Sequence, residues 1–119
     1  MKPKIVCLCG STKFKDDFLY WQRQYTLDGY IVLSVGFFGH ADNERLGIKT
    51  KAKLDILHLA KIDLADEVAI ISVDSYIGES TMREIEYAEC LDKRVVHINR
   101  LSTLNIGCTT PFYANKKNN

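Results

Sequence analysis

The chain of 119 residues has no strong excess of either charge. Sixteen Lys and Arg stand against fifteen Asp and Glu, a formal net charge of +1. No general attraction to a nucleic-acid polymer or to a membrane surface follows from that balance. No apolar run approaches the ~20 residues that a spanning helix needs. No internal repeat and no low-complexity linker interrupts the chain. No signal peptide is visible, since Met1-Lys2-Pro3-Lys4 runs straight into a strand pattern. Cysteine is sparse and poorly placed for a metal. Cys7, Cys9, Cys90 and Cys108 form no CxxC and have no histidine at zinc-like spacing. The expectation is therefore no metal, no cofactor, thiols packed as small hydrophobes, and a reducing, cytoplasmic setting.

What is present is an ordinary globular composition, 46% apolar and 26% charged. The length suits one domain over 1–119, with a core over 4–98 and a C-terminal tail over 99–119. It is long enough to bury a core without staples.

Hydrophobic patterning alternates strand with helix. Ile5 to Cys9 is a continuous apolar run closed by Gly10, the mark of a strand buried on both faces. Cys7 and Cys9 fall on one face of it. Phe14, Phe18, Trp21 and Tyr25 then recur at helical spacing, and Asp28-Gly29 ends that helix. Tyr30 to Val35 reads as a second buried strand, and the aperiodic, glycine-bearing stretch 36–49 as a loop. Lys51 to Ala65 reads as a helix, Val68 to Val73 as the third strand, Ser80 to Leu91 as the third helix and Arg94 to Ile98 as the fourth strand. The tail offers a possible fifth edge strand, and Lys116 to Asn119 should fray.

This alternation implies right-handed crossovers and a three-layer α/β sandwich. The sheet should have four or five parallel strands in the flavodoxin-like order 2-1-3-4. Ligands of such sheets bind outside the carboxyl ends of the strands, between the first and the third. Two turns meet there, Gly10-Ser11-Thr12 and the segment from Asp74 to Ser80. Gly78, Ser80 and Thr81 open a helix with small residues, whose free N–H groups and dipole favour an anion. Ser11 and Lys13 add a hydroxyl and a charge from the first turn. Ser80 and Thr81 equally suit plain N-capping. Glu84, one turn further into the helix, can face the same crevice.

The order and spacing of these elements resemble the nucleoside 2-deoxyribosyltransferase superfamily, including the 2′-deoxynucleoside 5′-phosphate N-hydrolases. The similarity rests on Gly10-Ser11, on Ala65-Asp66-Glu67-Val68-Ala69-Ile70, and on Ser80 to Ala88 followed by Asp92-Lys93 and a strand. Two glycines of the family pattern are Glu86 and Asp92 here. The aspartate that the family keeps eight residues before Asp66 is His58.

The resemblance implies an N-glycosidase, either a hydrolase or a deoxyribosyltransferase, with Glu84 as the nucleophile at the anomeric carbon. A carboxylate there stabilises or traps an oxocarbenium-like state. His58 or Asp63 would assist the leaving base. Gly10, Ser11, Lys13, Gly78, Ser80 and Thr81 would hold sugar and phosphate. Phe37, Phe38 or His40, on the second loop, would stack on the base. The pocket favours a nucleoside 5′-monophosphate. The family also implies a homodimer or larger assembly, and Tyr20, Trp21, Phe112 and Tyr113 suggest aromatic surface for it. The alternative is a nucleotide-binding or signalling-sensor module of the same fold that turns nothing over.

Overall fold

The computed structural model describes residues 2–102 and the backbone of 113–117. The elements run β1 (Ile5–Gly10), α1 (Lys15–Leu27), β2 (Ile31–Leu33), α2 (Ile48–Leu64), β3 (Glu67–Val73), α3 (Glu79–Cys90), β4 (Arg94–Arg100) and β5 (Tyr113–Lys117). The sheet order is β2-β1-β3-β4-β5. β2, β1, β3 and β4 are parallel, as the sequence pattern requires. β5 pairs antiparallel with β4, setting Lys117 opposite His97 and Lys116 opposite Ile98. Lys116 and Lys117, expected to fray, thus belong to a strand. An antiparallel partner needs no helical crossover.

Side-chain alternation divides the core into two faces. Val6 and Leu8 of β1, Ala69 and Ile71 of β3 and Val96 and Ile98 of β4 meet Phe18, Trp21 and Tyr25 of α1. Cys7 and Cys9, Val68 and Ile70 and Val95 face the other way, against Ile62 of α2 and Ile85 and Ala88 of α3. Each fully buried aliphatic or aromatic side chain contributes about 1.5–3 kcal/mol. Both faces of the central strands are therefore covered.

Three local readings are corrected. β2 is short and lies at the sheet edge, and Ile31 is 47% exposed, so the second strand is not buried. α2 begins at Ile48, inside the stretch read as loop. Trp21 is a core residue and Tyr20 packs edge-on against it at 5.3 Å, so neither leaves the aromatic surface expected of them. The side chains of Phe112 and Tyr113 lie outside the described residues.

The turns that frame the crevice are held in uncommon geometry. Gly10 has φ +154°, and a Cβ there would lie 2.6 Å from the Ile71 carbonyl oxygen, so β1 can end beside β3 only without a side chain. Asp74 and Ser75 take left-handed φ of 49° and 63°. Such backbone persists when its surroundings hold it. Asn99 Oδ1 accepts from Ser75 N at 2.8 Å and from Ser72 Oγ at 3.1 Å, and Asp74 accepts from Ser102 N at 3.1 Å. Asp92, just after α3, is also left-handed at φ 55°. That is a conformation glycine accepts freely and aspartate tolerates better than most residues, which explains why one glycine of the family pattern is replaceable there.

Candidate functional site

A cleft of about 730 Å³ lies over the carboxyl ends of β1 and β3. It falls where the strand order reverses, the place open parallel sheets reserve for ligands. Gly10, Ser11 and Thr12 form one wall, and Gly78, Ser80, Thr81 and Glu84 form another. The stretch between β2 and α2 contributes Phe37 and His40, and α2 contributes Lys51, Leu54 and His58. The volume is that of a drug-sized or nucleotide-sized ligand.

The α3 end of the cleft suits an anion. Gly78 is the N-cap, in extended conformation, and no side chain caps the helix. Its first N–H groups and its dipole face this end. Two cations converge on Ser80. Arg83 Nη2 donates to Ser80 Oγ at 3.2 Å, and Lys51 Nζ lies 3.5 Å from the same oxygen. Lys51 also pairs with Asp55 at 3.3 Å. Neither Lys51 nor Arg83 stands out in the sequence as a site residue. Arg83, three residues after Ser80 on a helix, carries a spacing signal. Lys51 carries none, because it arrives from another element.

His58 and Glu84 line the cleft, and two fully buried thiols lie behind His58. His58, 6% exposed, puts Nε2 3.4 Å from Cys9 Sγ and 3.6 Å from Cys7 Sγ. The sequence expectation of isolated, merely apolar thiols with no ligand cluster is thereby corrected. β1 turns both thiols to the α2 side, and α2 lays His58 over them. A hydrogen bond from Cys9 favours the Cys7 thiolate more than burial opposes it, and His58 adds to this, bringing the Cys7 pKa down to about 6. Cys9, the donor in a fully buried place, is pushed up. Burial opposes the His58 imidazolium, yet the hydrogen bond and charge of Cys7, with the charge of Glu84, outweigh it and raise its pKa. Burial also lifts the Glu84 carboxyl, against the pull of His58. Carboxylate and imidazole thus line one cleft, each charge acting on the other's proton, an arrangement suited to acid–base work.

The remaining expected site residues divide. Gly10, Ser11, Phe37, His40, Gly78, Ser80, Thr81, His58 and Glu84 all line the cleft. Asp63 does not. It is exposed and accepts from Tyr87 Oη at 2.7 Å, which leaves His58 as the candidate acid from that helix. Lys13 lines a separate hollow of about 310 Å³ with Asp42 and Arg100, and its Nζ sits 3.6 Å over the Tyr76 ring. Phe38 packs on Phe18 at 5.5 Å and joins the core. Glu86 and Glu89 are exposed, as expected of solvent residues.

A parallel α/β sandwich with its crevice at the strand-order reversal is the class that fold and cleft define. Within that class, the fold is the nucleoside 2-deoxyribosyltransferase-like one. The chain superposes on a 2-desoxiribosyltransferase from Leishmania mexicana with a TM-score of 0.58, over 98% of this chain and 79% of that one, at 17% identity. No protein-family model and no curated protein matches the sequence. Among the described residues, no helix is long and apolar enough to cross a membrane.

Proposed function

We propose that this protein cleaves the base–sugar bond of a nucleoside 5′-monophosphate, passing the sugar to water or to a second base. One observation carries the reading: Glu84 shares a cleft wall with an uncapped helix start whose Ser80 is flanked by Lys51 and Arg83. The phosphate would sit at that helix start, and Phe37 or His40 would stack on the base. The Glu84 carboxylate then attacks C1′ while the glycosidic bond breaks and His58 gives its proton to the departing base. Water, or another base, attacks C1′ in turn and frees Glu84. The similar fold of a deoxyribosyltransferase supports this chemistry. A panel of purine and pyrimidine nucleoside monophosphates, followed by chromatography, should reveal one free base. If every nucleotide is bound and none cleaved, the non-catalytic sensor reading replaces this one.

The anion pocket makes a separate prediction. Ser80→Ala should weaken a nucleoside monophosphate by about 1.5–3 kcal/mol, the worth of a hydrogen bond to a charged group, and leave the free nucleoside nearly unchanged. Calorimetry with both ligands measures the difference. Equal losses for the two would place the phosphate elsewhere.

Assembly as a homodimer belongs to the same proposal. Its support is apolar exposure on α2, where Ile48, Ile56 and Leu64 are 90%, 68% and 66% exposed. Sedimentation at micromolar concentration should show a dimer that Ile56→Lys dissociates. A wild-type monomer would rule the assembly out.

A further inference from the structure

We propose that Cys7, Cys9 and His58 form a binding site for a thiophilic divalent cation of the zinc class, with water in the fourth position. This inference does not rest on the base-release reading, and an ion on His58 Nε2 would compete with proton donation from that nitrogen.

The donor set comes first. Two sulfurs and one imidazole nitrogen all lie within 4.8 Å of one another, and all three residues are buried. Tetrahedral zinc, with bonds of about 2.3 Å to sulfur and 2.0–2.1 Å to nitrogen, spaces a sulfur and a nitrogen ligand about 3.5–3.6 Å apart. The separations here are 3.4 and 3.6 Å. The cluster therefore needs little rearrangement to close around an ion.

The scaffold holds the donors in place. Cys7 and Cys9 project from the same face of β1, a strand paired on both sides. His58 is fixed by α2, whose neighbouring Ile62 is fully buried in the same cluster as the thiols. His58 also lines the cleft, which gives an ion an entry path.

The chemistry selects the ion. Two thiolates and an imidazole are soft donors, which favour zinc or cobalt over magnesium or calcium. Counting thiols and imidazole together, two protons leave to solvent as the ion binds. Three protein ligands with water in the fourth position is the pattern of an open rather than a closed zinc site.

The test is a titration of the reduced, chelator-stripped full chain with Co²⁺. One equivalent should bring a thiolate-to-cobalt charge-transfer band and the visible absorption of tetrahedral cobalt. Zn²⁺ should bleach both, and excess Mg²⁺ should not. The Cys90→Ser/Cys108→Ser variant should behave as wild type, since Cys90 is exposed and away from the cluster. Cys9→Ser and His58→Asn should each lose more affinity than the ~10–100-fold that loss of an outer-shell partner costs. Far-UV circular dichroism establishes that each variant is folded. Should Cys9→Ser unfold, His58→Asn and the wild type decide the matter. Absence of the charge-transfer band in wild type, or its loss with Cys90 and Cys108, overturns the site.

Discussion

Glu84→Gln is expected to abolish base release while leaving nucleotide binding within a few-fold of wild type. The substitution keeps the shape and removes the negative charge. In the ground state the sugar carries no positive charge at C1′, so little affinity depends on that carboxylate. In the transition state the sugar is cationic, and a neutral amide neither stabilises it nor forms the covalent intermediate. Activity by chromatography and affinity by calorimetry separate the two effects. Full activity in Glu84→Gln would remove Glu84 from the mechanism. Parallel loss of binding and activity would make it a substrate-holding group instead.

His58→Asn should lower the rate by about 10²–10⁴-fold, the usual contribution of a positioned acid. It should also change the pH profile. In the proposed mechanism the wild type needs Glu84 ionised and His58 protonated. Burial raises Glu84 above its ordinary 4.5, so activity should climb with a midpoint above that value. His58 is raised above 6.5, burial opposing and the Cys7 bond and charge prevailing, so activity should fall only at higher pH as that proton leaves. In His58→Asn the acidic limb should remain and the alkaline limb should vanish. A slowed variant that keeps both limbs would show that another group donates the proton and that His58 only positions its neighbours. Asp63→Asn, away from the cleft and bonded to Tyr87, should be close to wild type in both respects.

The alternating strands and helices were legible in the chain because they depend on local periodicity, and crossover rules with one reversal gave the strand order and the crevice. Doubly apolar runs at 5–9 and 68–73 mark strands buried on two faces, and amphipathic helices between them force parallel crossovers. Gly10 declares itself because β1 must end against the Ile71 carbonyl with no side chain in the way. The small residues from Gly78 to Thr81 mark the helix start for the same local reason. Charge and proton chemistry were not legible in this way. Lys51 and Ser80 are 29 residues apart, and Cys9 and His58 are 49 apart, yet each pair is in contact. Asp63 and His58 look interchangeable on one helix, but five residues rotate Asp63 to the solvent side, toward Tyr87 of α3. The sequence by itself determined a parallel α/β sheet, its crevice and the helix that opens onto it, since periods of two and 3.6 residues act within each element. Only the tertiary structure decided which imidazole and which cations share that crevice and which thiols lie behind it, because those distances are set by packing one element on another.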